Sequence, residues 1–122
     1  MTVIVDAGPL VAYFNRDDAL HDWARTSFSR VAPPLLTCEA AITEATYLLA
    51  RDGLDPVLPL HAIVKGGLSV AFSVHDEIEA VRRLMGRYDD IPCALADACL
   101  VRMSELYPRS KVLTLDRDFL VY

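Results

Sequence analysis

Thr2-Val3-Ile4-Val5-Asp6-Ala7-Gly8-Pro9 is the stretch from which the fold can be read. Thr2–Val5 is β-branched and apolar, the composition of a buried strand. Ala7-Gly8-Pro9 ends it and opens a helix whose first turn accommodates proline, continued by Leu10, Val11, Tyr13 and Phe14. Between strand and helix stands an acid, Asp6, where a core-facing chain would ordinarily supply another apolar residue.

Outward from this stretch the alternation of strand and helix recurs. Asp17 or Asp18 is placed to cap a helix over Ala19–Arg30, which Pro33-Pro34 ends ahead of a short apolar strand, Leu35-Leu36. Thr37 or Cys38 opens a helix to about Arg51, with Gly53 as its stop. A helix over Asp55–Lys65 closes at Gly66-Gly67, and Leu68–Phe72 reads as a third strand. Ser73 to Asp76 resembles a capping box ahead of Ile78, Val81, Leu84, Met85 and Tyr88 at helical spacing. After Pro92 a helix runs over about Ala94–Tyr107, and Lys111–Leu115 is a last strand with Asp116 directly behind it. This order predicts one α/β domain over residues 1–122. It would have three layers, with a mostly parallel sheet of about four to five strands between helices.

Composition narrows the functional classes. A chain of 122 residues that is 53% hydrophobic and 24% charged fits one globular domain with a real core. No apolar run reaches the roughly 18–20 residues of a membrane span, and the start lacks a basic, apolar leader, so no membrane association and a cytoplasmic location are expected. The three cysteines, Cys38, Cys93 and Cys99, lack C-x-x-C spacing and are expected to act as small core residues, not zinc ligands or disulfides. With 12 basic against 17 acidic residues the net charge is −5. A phosphate-bearing partner would therefore need a local source of positive charge, and a bound divalent cation is one.

Four acids stand out by position. Asp6 and Asp116 each follow an apolar strand, and strand ends are where ligands sit in open α/β sheets. At 100° per residue, Glu44 flanks the stripe of Ala41, Ala45, Leu48 and Leu49, which predicts semi-burial; Glu39 lies opposite, with Thr46 and Ala50, as a solvated charge. Asp97 shares a face with Ala94, Leu100, Val101 and Ser104, where a carboxylate must be paired, protonated or metal-bound. Singly, each has an ordinary explanation. Asp6 fits an N-cap, Glu44 an ion pair with Arg51, Asp97 a favourable place near a helix start, and Asp116 the cap of a terminal turn. Together at one sheet edge they would repel, and oxygen ligands alone suit Mg²⁺ or Mn²⁺. Such a site would polarise a phosphoryl oxygen and activate water.

The chain resembles the PIN domain family. The resemblance is carried by Val3-Ile4-Val5-Asp6, by Thr43-Glu44-Ala45-Thr46-Tyr47-Leu48-Leu49-Ala50-Arg51, by Leu95-Ala96-Asp97-Ala98, and by Leu113-Thr114-Leu115-Asp116-Arg117-Asp118-Phe119. It is similar in particular to the small VapC-type toxins of bacterial toxin–antitoxin pairs. The resemblance implies Mg²⁺- or Mn²⁺-dependent cleavage of single-stranded RNA, a homodimer, and inhibition by a small antitoxin protein. It makes Asp6, Glu44, Asp97 and Asp116 the catalytic and metal-binding acids, with Thr114 and Arg51 in support. Asp118 competes with Asp116 for the fourth place, and Asp90 is expected near the rim.

Other chemistries find less support. His21, His61 and His75 are scattered, and no G-x-S-x-G elbow or Gly-rich phosphate loop occurs. A phospho-acceptor domain would use Asp6 as its nucleophile but lacks a D-x-D pattern and a late strand–lysine signature. A binding module without catalysis predicts no metal affinity. The four-acid reading predicts in-line attack by water on RNA, leaving 3′-hydroxyl and 5′-phosphate ends, with Arg51, Arg102 or Arg117 offsetting substrate charge.

Overall fold

Val3, Ile4 and Val5 are all buried, and the strand they form, β1 (Val3–Val5), is flanked on both sides by other strands. The computed structural model describes residues 1–87 and 95–115. Within them β1 is followed by α1 (Ala7–Phe14), α2 (His21–Ser29), β2 (Leu35–Leu36), α3 (Glu39–Arg51) and α4 (Leu58–Val64). Then come β3 (Leu68–Ser69), α5 (Ile78–Arg87), α6 (Leu95–Leu106) and β4 (Lys111–Leu113). Every strand pair is parallel, in the order β3-β2-β1-β4, with Ile4 opposite both Leu36 and Val112.

Alternation along the strands separates the two faces of the sheet. Val3, Val5, Leu35 and Leu113 join Leu10, Val11, Ile42, Ala45 and Leu49 in one cluster, so α1 and α3 cover that face. Ile4 points the other way, into a cluster with Cys99, Leu100 and Met103 of α6. Outside α6 lies α5, through Val81 and Leu84 against Ala98 and Val101. The expected three-layer α/β architecture is what forms, with α5 added over one helical layer.

Several elements are shorter than their sequence patterns, for local reasons. Helix α2 begins at His21, not Ala19, because the Asp18 carboxylate accepts Leu20 N–H (2.9 Å) and holds the chain in a turn. The Asp55 carboxylate does the same for Val57 N–H (2.9 Å), delaying α4 to Leu58. Strand β3 stops at Ser69 because its neighbour ends there: Thr37 N–H reaches Ser69 C=O (3.0 Å) and the chain turns into α3. Strand β4 stops at Leu113, whose carbonyl takes the last rung from Asp6 N–H (3.0 Å). Of the capping box, Ser73 Oγ accepts from Asp76 N–H (3.2 Å) ahead of α5.

Strand order then positions a site. The chain steps from β1 to β2 to β3 and returns across the sheet to β4, so its direction reverses beside β1. Ligand crevices of parallel sheets lie at such a reversal, beyond the carboxyl ends of the strands. Asp6 is the first residue beyond β1.

Candidate active site

Asp6 is 7% exposed and extended (φ −86°, ψ 172°), the conformation of an N-cap. Its Oδ1 accepts Ala7 N–H at 2.7 Å, and its Oδ2 accepts the Thr114 hydroxyl at 3.0 Å. Thus the cap reading holds for Asp6: α1 fixes one oxygen, and the end of β4 fixes the other. The structure joins Thr114, a predicted helper, directly to a predicted acid. Gly8 keeps this corner close-packed, since a Cβ there would stand 3.3 Å from Leu115 Cδ1.

Thr37 is a participant that the sequence reading treated only as a helix opener. It is fully buried, and its hydroxyl donates to Val5 C=O at 2.8 Å, tying the ends of β2 and β1 together immediately before Asp6. The partner carbonyl belongs to a residue 32 positions away. The only local signal is a threonine placed directly after an apolar strand.

Asp97 lies in the first turn of α6 and is 9% exposed, as its apolar face predicts. Helix α6 leads into the parallel strand β4 through a short turn, so it runs against the strands and begins at their carboxyl edge. Two residues on, Cys99 packs with Cys38, Ala41 and Ile4. Cys38 is the N-cap of α3 and lies within electrostatic reach of the Asp6 carboxylate. Cys99 is held well above the usual thiol range by its hydrogen bond with Cys38 and by burial, so this seam keeps a neutral thiol in its core. Both cysteines are core residues as expected; Cys93 lies outside the described residues.

Glu44 differs from its reading. It stands in the second turn of α3 but is exposed, not semi-buried. The buried stripe of α3 is Ala41, Ile42, Ala45 and Leu49, and including Ile42 rotates its centre to roughly 115° from position 44. Glu39 is exposed as predicted. Among the described residues no three His, Cys, Asp or Glu side chains approach closely enough to share a metal ion. Asp116, Asp118, Asp90, Asp89 and Arg117 lie outside the described residues. The structure therefore brings Asp6 and Thr114 together and buries Asp97 at the same edge, while Glu44 is exposed on α3.

Two of the three arginines named to offset substrate charge, Arg51 and Arg102, are already engaged. Arg51 Nε meets Asp52 Oδ1 at 3.2 Å. Arg102 donates from Nε to Glu77 Oε1 (2.7 Å) and from a terminal nitrogen to Glu105 Oε1 (3.1 Å).

A parallel sheet whose strand order reverses beside a buried, doubly anchored aspartate is the frame of the PIN domain. The family model of that name matches residues 3–122, and the chain belongs to the PIN domain family. It is 31% identical over 117 residues to Ribonuclease VapC26 of Mycobacterium tuberculosis (strain ATCC 25618 / H37Rv), covering 94% of this chain and 87% of that protein. Its fold is also similar to the crystal structure of Mycobacterium tuberculosis VapC20, a sarcin–ricin loop cleaving toxin. That likeness has a TM-score of 0.84 at 22% identity, across 98% of this chain and 94% of that one.

Proposed function

We propose that this protein is a divalent-metal-dependent ribonuclease that hydrolyses single-stranded RNA, acting as the toxin of a toxin–antitoxin pair. The observation that carries the reading is the pair of buried carboxylates at the carboxyl edge, Asp6 fixed through both oxygens and Asp97 in the first turn of α6. Its relative VapC26 is a ribonuclease by name, and VapC20, whose fold this chain shares, is described as a sarcin–ricin loop cleaving toxin.

The donor set suits a hard cation. Asp6 and Asp97 offer only oxygen, the ligand type that hard divalent cations prefer. These two residues would hold Mg²⁺ or Mn²⁺, with Glu44 from α3 and Asp116 or Asp118 from the chain beyond β4. Bound there, the cation would supply charge neutralisation and polarisation of the scissile phosphate. The protein's own part is preorganisation. Ala7 N–H and the Thr114 hydroxyl hold Asp6 in place, so little rearrangement is needed when substrate arrives. An RNA substrate, a homodimeric assembly, a small antitoxin and a cytoplasmic site of action complete the reading.

Asp6→Asn and Asp97→Asn test it. Each is expected to abolish cleavage of a single-stranded RNA in Mg²⁺ or Mn²⁺ while keeping the circular dichroism of the folded chain. Undiminished cleavage by both variants would remove these residues from the mechanism.

A further inference from the structure

At the edge of the sheet opposite Asp6 the four strands begin on one level. Val3 pairs with Lys111, Ile4 with Leu36, and Leu35 with Leu68, so the first residues of all four strands share a row. A cavity of about 230 Å³ opens at this amino edge, beside β1 and β4. Val3, Val31 and Leu113 give it an apolar floor, and Ser27, Arg30 and Lys111 line it with polar groups.

Arg30 and Lys111 are both exposed, and among the described residues neither side chain makes an ion pair. They differ in this from Arg82, paired with Glu79, and from Arg102, clamped by Glu77 and Glu105. No Asp or Glu lines the cavity. The sequence accounts for this, since the segments leading into β1, β2 and β4 (residues 1–2, 30–34 and 107–110) hold no acid. In a chain of net charge −5 the cleft is therefore a local reversal of sign, and apolar walls focus the field of the charges beside them. Arg30 is the C-cap of α2, where a cation also complements the helix dipole. Lys111 opens a strand and has no such service to perform.

We propose that this cleft holds a backbone phosphate of the RNA at a distance from the scissile linkage, gripped between Arg30 and Lys111. The inference rests on the ribonuclease reading and adds two positioning residues to it. Asp6 lies three residues along β1 from Val3, about 10 Å at the rise of a strand. An RNA seated at Asp6 must therefore extend past the nucleotides at the acids before it meets the cleft. A short oligonucleotide would touch the acids alone, and a longer strand would engage both edges. Guanidinium offers phosphate a planar fork and ammonium a compact charge, so the two side chains suit one tetrahedral anion. Such contacts fix register along the strand without reading its bases.

The test uses the full chain carrying Asp97→Asn, so that labelled single-stranded RNA survives while fluorescence anisotropy follows binding over a salt series. Two lengths are compared, about six and about thirty nucleotides, on either side of the usual span of a single-strand binding groove. Arg30→Gln with Lys111→Gln removes the contact to one phosphate, which on a single strand contributes a slope of about 0.7 in log affinity against log salt. The pair should flatten the slope by about that amount for the long RNA and leave the short one unchanged. Arg30→Lys with Lys111→Arg should keep the parent slope. Lys65→Gln with Arg82→Gln, an equal loss of charge outside the cleft, should match the parent on both RNAs. In cleavage-competent protein the cleft variant should raise KM for the long RNA alone, with kcat held. An unchanged slope for the long RNA would overturn the assignment, as would equal damage to both lengths or from the control pair. A lowered melting temperature with the slope intact would reduce Arg30 to a helix cap and overturn it too. Polyglutamate bound through Arg30 and Lys111, with RNA indifferent to them, would give the cleft to an acidic protein instead. If wild-type protein cleaves RNA while the slope stays unchanged, only the cleft falls. If it neither binds nor cleaves RNA, the ribonuclease reading falls with it.

Discussion

At Asp6 one carboxylate oxygen caps α1 through Ala7 N–H while the other accepts the Thr114 hydroxyl, so helix start and strand end hold the same group. Thr114→Val keeps the shape of the side chain and removes that donor. Losing a hydrogen bond to a charged group costs about 1.5 kcal/mol. The expected result is a lowered melting temperature together with a fall in kcat/KM for RNA cleavage, up to roughly tenfold. Thr37→Val should affect stability alone. Its hydroxyl serves Val5 C=O in the core, so the loss should appear as about 1 kcal/mol in urea unfolding, with cleavage little altered. Asp6 and Asp97 were legible in the sequence because each interrupts an apolar run or face with a charge. The burial of Glu44 was misread because Ile42 was left out of the stripe. Thr37 was not legible, since its partner is a main-chain atom in another strand.

At the scale of elements, the two sides of the sheet depend on different helices. Leu49 of α3 is fully buried among Val5, Leu10 and Ile42. Leu49→Ala should cost about 2–5 kcal/mol, read from denaturant midpoints, by the cavity it leaves in the α1–α3 layer. Helix α6 carries the opposite tension, because its first turn holds a buried acid near a sheet edge that already contains Asp6. If the two acids repel when no cation is bound, Asp97→Asn should raise the melting temperature in chelator. A marked loss of stability would instead make Asp97 a structural residue. Periodicity made these elements readable almost to their ends. The shortfalls at α2, α4 and β3 came from Asx turns and from a neighbouring strand that ends early, neither of which periodicity encodes.

For the whole molecule, the alternation of strands and helices implied a parallel sheet, but not the order β3-β2-β1-β4, which depends on long-range pairing. That order carries β4 back beside β1 and so brings Thr114 to Asp6, 108 positions away in sequence. The net charge of −5 belongs to this scale too: an anionic strand would need a local counter-charge, and a bound divalent cation would supply one. The most direct measurement is a Mn²⁺ titration of metal-stripped protein, following RNA cleavage and melting temperature in the same samples. Ligand that binds only the folded state must stabilise it. Wild-type protein should gain activity and stability together, with one shared midpoint, and Asp97→Asn should gain neither. Full cleavage in chelator, or a wild-type response in Asp97→Asn, would contradict a metal-dependent nuclease site built on Asp6 and Asp97.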